Sequence, residues 1–244
     1  MLTRYKQRIV NETWAQDVQL AQTIVAVDYA VGEFEMADAD YRAIIRATEE
    51  RLRQHGDCHL GVGWPKAADA DTRYRVMLDV IRPPTSIPSM LDFGCGAAHL
   101  YDYMQREVIV DIDYSGLDIS PDFIGLCQSK HPGVKFYCAD VLTSPDDLPA
   151  TDYVIMNGVF TEKRELSFDA MFEYMQTTLS LIFSKVRVGM AFNVMSKQVD
   201  WERDDLFHLP MDVLATYLCR DVTRNFIIRN DYGLYEYTTY VYKS

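Results

Sequence analysis

Met90-Leu91-Asp92-Phe93-Gly94-Cys95-Gly96-Ala97-Ala98-His99-Leu100 decides how this chain is read. An apolar run ends in an acid, a Gly-x-Gly turn follows, and a helix-compatible segment comes next. That order predicts a strand, a tight turn and a helix start. Glycine lets the backbone turn sharply and approach a ligand where a Cβ would clash. The following helix end offers free N–H groups. Together these features place a nucleotide-like ligand over the carboxyl end of the first strand of a doubly wound sheet. The dinucleotide fingerprint asks for a third Gly, which in this register would stand at position 99, and the chain has His99 there.

The acids downstream repeat the pattern. Tyr114-Ser115-Gly116-Leu117-Asp118-Ile119-Ser120 reads as a second strand ending in Asp118, within the window of about 20 residues where an acid can take ribose hydroxyls. Val134 to Val141 reads as a third strand, with Asp140 at its end. Asp152 to Phe160 reads as a fourth, ending at Asn157-Gly158-Val159. A lone Asp at a strand end is commonly a turn or cap residue. A series of polar strand ends instead fits the rule that ligands sit outside the carboxyl ends of the strands.

On these motifs the chain, from about residue 55 to 244, resembles the class I S-adenosylmethionine-dependent methyltransferases. The resemblance implies that Asp92, Gly94, Cys95 and Gly96 form the loop that contacts the methionine part of the cofactor. Asp118 matches the acid that holds the ribose hydroxyls, and Ile119 the apolar residue beside the adenine. Asp140 and Val141 match the pair at the adenine edge. Asn157, Gly158 and Val159 match the loop next to the transferred methyl. In relatives acting on small molecules, a segment like Gly61-Val62-Gly63-Trp64 and an Arg-aromatic pair like Arg73-Tyr74 lie over the cofactor. The resemblance therefore implies that Trp64 covers the cofactor and that Arg73 pairs with its methionine carboxylate. The chain departs from many relatives in having Ala97-Ala98-His99 after Gly96.

Composition narrows the partners. The chain has 244 residues, 48% hydrophobic, and a formal net charge of −12. A nucleic-acid binder would carry a basic face, and no Lys/Arg cluster occurs, so a small-molecule substrate is expected and no nucleic acid. Five scattered cysteines without a Cys-x-x-Cys suggest neither a zinc knuckle nor a disulfide framework. Cys138 reads as a buried thiol in a core strand. No apolar run is long enough to cross a membrane and no signal peptide is evident, so a cytoplasmic protein with no membrane partner is expected.

The expected fold is α/β: a Rossmann-like, doubly wound, seven-stranded sheet with a C-terminal antiparallel hairpin and an N-terminal helical extension. Residues 1–84 are expected to form a helical cap or lid and cofactor-covering segment, and 85–244 the catalytic core. Helices are expected near 11–31, 37–54 and 68–81, the second with Tyr41, Ile44, Ile45, Thr48 and Leu52 on one apolar face. Further helices are expected near 98–106, 121–130, 168–184 and 210–219. Strands are expected near 88–93, 112–118, 134–138, 152–157, 188–195, 223–229 and 234–242. The turn-rich Arg229-Asn230-Asp231-Tyr232-Gly233 makes the last two strands a hairpin. A nicotinamide dehydrogenase would not end this way. The N-terminal helices could also serve as the arm of a homodimer.

Methyl transfer needs the nucleophile aligned with the S–CH3 bond, and a hydroxyl nucleophile is helped by a general base. Three candidates for that base are His208, Glu162 and His99. The acids Asp200, Glu202, Asp204 and Asp205 could hold Mg²⁺ through hard oxygen ligands. Asn157 to Phe160, Ala191 to Val194, Leu206 to Pro210 and Asp231 to Tyr237 look like methyltransferases from antibiotic and polysaccharide sugar clusters. The expected function is therefore methylation of a hydroxyl on a small metabolite, a sugar first. Open alternatives are N- or carboxyl-methylation of a small molecule, and a non-catalytic cofactor-binding partner subunit.

Overall fold

The structure is a computed structural model that describes residues 41–83 and 86–244. The expected first helix, near 11–31, lies outside the described residues.

Strand alternation builds two cores. Strands β1 (Ser89–Phe93), β2 (Asp113–Asp118), β3 (Lys135–Cys138), β4 (Tyr153–Met156) and β5 (Gly189–Ser196) pair in parallel. Successive side chains of a strand point to opposite faces. Thus Leu91, Val154, Met156 and Phe192 join one cluster, with Met171, Met175, Leu179 and Ile182 of α5 (Phe168–Lys185) and Leu214 of α6 (Met211–Tyr217). Met90, Tyr153, Ile155 and Ala191 join the other, with Tyr74 and Met77 of α2 (Ala67–Leu78) and Leu100 and Met104 of α3 (His99–Arg106). Helix α4 (Pro121–Lys130) packs through Ile124 and Cys127. The helices thus cover both faces, which is why β1 and β4 read as nearly continuous apolar runs.

The sheet order is β3-β2-β1-β4-β5-β8-β7, with β6 (His208–Leu209) pairing β5 off this path. Strand β8 (Glu236–Tyr242) inserts antiparallel between β5 and β7 (Phe226–Arg229), so the expected terminal hairpin is present. Two-residue β6 leaves no alternation to read in the sequence. Local signals set the helix starts. Ser120 caps α4 by accepting the Phe123 N–H, with Pro121 at the first position, and Ser167 caps α5 by accepting the Ala170 N–H. After α6 the backbone widens into a π-type turn over Leu218–Val222 rather than continuing as α-helix.

One expectation is corrected. Cys138 is exposed, because β3 is an edge strand. No residue of α1 (Arg42–His55) is fully buried: Ile44 packs against the first cluster, and Ile44, Ile45 and Thr48 line a cavity. Helices α1 and α2 belong to one compact unit with the sheet.

Candidate active site

The carboxyl ends of β1, β2, β3 and β4 form one rim of the sheet, and they carry Asp92, Asp118, Asp140 and Asn157. A cavity of about 1330 Å³, open mouth included, lies above this rim beneath α1. Typical ligand pockets span roughly 300–1,000 Å³, so there is room for a cofactor and part of a second molecule. Every residue expected to bind cofactor lines this cavity except Arg73.

Backbone geometry makes the glycine turn a fixed cradle. Gly94 has φ +72°, and a Cβ there would lie 2.7 Å from Cγ2 of Val159. The Gly94 and Cys95 N–H groups both donate to the Leu117 carbonyl, at 2.7 and 3.0 Å. The Gly96 N–H donates to Oδ2 of Asp118 at 2.9 Å, and Oδ1 accepts the Ser120 N–H at 2.9 Å. Asp118 thus ties the β1 turn to the end of β2.

The electrostatics of the rim are unusual. Asp92 is 3% exposed and, among the described residues, accepts the Tyr114 hydroxyl alone, at 2.9 Å. Burial is the main cause that pushes its carboxyl up to about 7; the tyrosine opposes the shift and Asp118 adds to it. Burial also raises Asp118, against the pull of the backbone N–H groups of Ser120, Gly96 and Ile119. Among the described residues, the partners of these two carboxyls are a phenol and backbone amides, not cations. Buried charges are ordinarily paired, so this end of the cavity suits a cationic ligand.

At the third strand end, Asp140 is already engaged. Its Oδ2 accepts the Tyr41 hydroxyl at 2.7 Å and Nη2 of Arg42 at 3.1 Å. Burial and this bond push the Tyr41 phenol up to about 12. The Tyr41 ring stacks on Tyr174 at 5.2 Å between centroids. Two further ties hold α1 over the cavity: Ser120 Oγ donates to Glu49 at 2.6 Å, and Nη1 of Arg51 reaches both oxygens of Glu162 at 3.0 and 3.1 Å.

The fourth strand end is positioned from below. The Gly158 N–H donates to Oδ1 of Asn193 at 2.7 Å, and Nδ2 of Asn193 donates to Glu236 at 2.9 Å. Arg73 closes the chain with Nε and Nη2 on Oε2 of Glu236, at 2.8 and 2.7 Å. The Arg73 and Glu236 side chains are 10% and 1% exposed. The Arg73 guanidinium lies over Trp64 at 4.2 Å, and the indole sits where a Gly158 Cβ would be, 2.8 Å away. Gly158, at φ +86°, therefore cannot be replaced without moving Trp64. Arg73 thus braces the loop through Glu236 and Trp64. Its Nη1 remains buried without a partner.

The base candidates separate. His208 lies in β6 away from the cavity: Nδ1 is 2.7 Å from the Ser196 carbonyl and Nε2 accepts the Arg203 N–H at 3.2 Å. With both ring nitrogens engaged by the backbone, it fastens the β5–β6 connection and does not line the cavity. Glu162 and His99 both line the cavity. Glu162 stands between Arg51 and Arg164, and Nε2 of His99 is 2.7 Å from Asp57. The acidic run does not converge: Glu202 pairs with Lys197 and Asp205 with Arg203, and no group of three or more metal-ligating side chains forms among the described residues.

Comparison with known proteins agrees with this geometry. A methyltransferase-domain family model matches residues 90–180, the span from β1 through most of α5. The family match and the fold together support a class I S-adenosylmethionine-dependent methyltransferase. A Mycobacterium tuberculosis protein provisionally named as a methyltransferase, Rv1506c, is 27% identical over 161 residues, covering 64% of this chain and 93% of that protein. Among solved structures, magnesium protoporphyrin IX methyltransferase from Synechocystis, with bound S-adenosylmethionine, superposes with a TM-score of 0.56 at 17% identity, covering 85% of this chain and 99% of that one. Human N-acetylserotonin methyltransferase gives 0.58 at 16% identity, covering 85% and 60%. At these identities the structures establish the methyltransferase fold.

Sequence reasoning missed the residues that roof the cavity. Tyr41, Ile44, Ile45, Thr48 and Arg51 from α1, with Tyr174 and Thr178 from α5, line it alongside the strand ends. The apolar stripe of α1 was visible in the sequence, but periodicity does not say whether a stripe meets a core or a cavity. Aromatic richness likewise goes largely to packing, as in the buried pair Phe160–Phe192.

Proposed function

We propose that the protein transfers a methyl group from S-adenosylmethionine to a hydroxyl of a small metabolite, with sugars as the leading substrate class. The observation that carries the cofactor half is the pair of buried carboxyls, Asp92 and Asp118, facing the glycine turn with no cation among the described residues to balance them. S-adenosylmethionine supplies an electrophilic methyl on a sulfonium and carries an ammonium, so it brings positive charge to this place.

Each residue has a role in that reading. Asp118 keeps acceptor capacity for ribose hydroxyls after bonding two N–H groups, since a carboxylate offers about four lone-pair sites. Ile119 and Val141 wall the adenine, and Asp140 takes its edge once Tyr41 yields. Gly94, Cys95 and Gly96 admit the methionine part close to the backbone, with Asp92 beside its ammonium. The free Nη1 of Arg73 is the donor left for the methionine carboxylate, reached past Trp64. Asn157, Gly158 and Val159 fix the loop beside the methyl, while α1 and Trp64 act as the cap that excludes water. Glu162, at the mouth, is the group placed to accept a hydroxyl proton, with His99 second. Small-molecule specificity draws support from relatives named for N-acetylserotonin, magnesium protoporphyrin IX and plantazolicin, and from a net charge of −12. The sugar and antibiotic-pathway reading rests on the C-terminal resemblance.

One observation favours a second reading. Both Glu162 oxygens are held by guanidinium groups, which weakens it as a base. A substrate needing no base, such as an amine or a carboxylate, fits that constraint. Calorimetric titration with S-adenosylmethionine and, separately, NAD⁺ tests the cofactor. Micromolar S-adenosylmethionine binding without an NAD⁺ signal is expected, and the reverse would sink the proposal. Mass-spectrometric screening of sugars against amines and acids then separates the two readings.

A further inference from the structure

Arg51 is the one arginine or lysine among the described residues that line the cavity, in a chain that is strongly acidic. Its guanidinium packs flat on Gly63, whose absent Cβ would lie 3.1–3.3 Å from Nη2, Cζ and Nε. One edge is used: Nη1 holds Glu162. The other edge, Nε with Nη2, is the fork that takes a carboxylate or phosphate side-on. It holds only the Thr48 hydroxyl, through Nη2 at 3.1 Å, and Nε is buried with no partner. A buried donor without an acceptor asks for an explanation.

A second guanidinium meets the same carboxylate. Nε of Arg164 lies 2.8 Å from Oε2 of Glu162, yet in a direction that makes no hydrogen bond. Arg164 also has φ +51°, the left-handed region that a non-glycine residue seldom adopts. Such conformations cluster at ligand sites. Two arginines therefore share one acid, and the Nε of each makes no hydrogen bond. Arg51 lines the cavity, and Arg164 adjoins it through Glu162, which also lines it.

We propose that Arg51 and Arg164 form an anion-binding subsite, and that the methyl acceptor is a small molecule carrying an oxyanion, either a carboxylate or a phosphate. The inference rests on the methyl-transfer reading and adds the substrate's charge to it. The anion takes the Nε–Nη2 fork of Arg51, next to the Thr48 hydroxyl, and draws Arg164 away from Glu162 to donate its Nε. Glu162 stays on the far edge of Arg51, where it keeps the anion from sliding to the loop side. The anchored group sits at the cavity mouth, and the hydroxyl or amine to be methylated points inward toward Gly158. A sugar acid or a sugar phosphate meets this description, and a neutral sugar does not.

The full-length protein is titrated first with S-adenosylhomocysteine, which judges the cofactor reading alone. With and without that ligand, it is then titrated with inorganic phosphate and with acetate, against chloride at equal ionic strength, following thermal melting. Phosphate or acetate is expected to raise the melting temperature where chloride does not, and the stronger of the two identifies the anion. Arg164→Gln should weaken anion binding about tenfold, the scale of one lost charge-assisted hydrogen bond, and Arg51→Gln with Arg164→Gln should abolish it. Melting without anion verifies that the variants fold. Equal response to chloride, or a double variant that binds phosphate as wild type does, overturns the proposal while S-adenosylhomocysteine binding stands. Methyl transfer to glucose at the rate seen with glucuronate or glucose 6-phosphate also overturns it.

Discussion

The two rims of the sheet use the same side chain in opposite ways. At the amino rim, Asp152 accepts Nε of Arg187 at 2.8 Å, together with the Ser89 N–H and hydroxyl at 2.8 and 2.9 Å. Arg187 is the main reason its carboxyl is held down to about 2. At the carboxyl rim, Asp92 and Asp118 are buried deeper, meet no such cation, and shift upward. A paired acid latches strands together. An acid that folding leaves buried and uncompensated marks a place kept for something else to bind.

That contrast can be broken by mutation. The largest expected effect is Asp118→Ala, which removes both the ribose acceptor and the anchor of Gly96. S-adenosylmethionine affinity should fall at least a hundredfold by calorimetry, with a smaller loss in thermal stability; wild-type affinity would erase the distinction between the rims. Next comes Glu236→Ala, which leaves the Arg73 charge buried. Breaking a buried pair from one side costs about 3–5 kcal/mol, read by denaturant unfolding, and Glu236→Gln should cost less because it still accepts one bond.

The pH dependence of cofactor binding sharpens the comparison. Asp92 ionises near pH 7 in the folded protein and near 3.9 unfolded. Its raised value adds stability that is full below about pH 4 and lost as pH climbs through 7. A cationic ligand prefers the ionised form. Affinity should therefore rise with pH, by up to about tenfold per unit below 7, and level off above it. Asp92→Asn should flatten the profile. The smallest effect is expected at the amino rim. Asp152→Asn should cost about 1 kcal/mol, because this pair is largely exposed and screened, and should leave cofactor affinity alone. Since the Asp152 value is lowered, its contribution is present above about pH 4 and lost as pH falls toward 2.

Sequence pattern revealed much of this architecture. Strong period-2 and period-3.6 signals placed β1 to β5, α2 to α6 and the terminal hairpin within a few residues, because each buries a continuous apolar face. The strand-end acids were visible for the same reason, since an acid closing an apolar run stands out. What pattern could not show was partnership across distance. Arg73 meets Glu236 and Tyr41 meets Asp140 only after the sheet has brought them together. His208 looked like a base by residue type, and only its two backbone contacts show otherwise. Cys138 was misplaced because nothing local marks β3 as an edge.

The Arg73–Glu236 pair joins residues 163 positions apart. Contacts of such separation require closing a long loop before they reward the chain. This brace is therefore among the last interactions expected to form on the folding path, so its loss should leave the folding rate nearly unchanged and speed unfolding. The loop beside the methyl, which depends on the brace through Asn193, then inherits its lifetime. How long a competent site persists is governed by the escape of one buried ion pair.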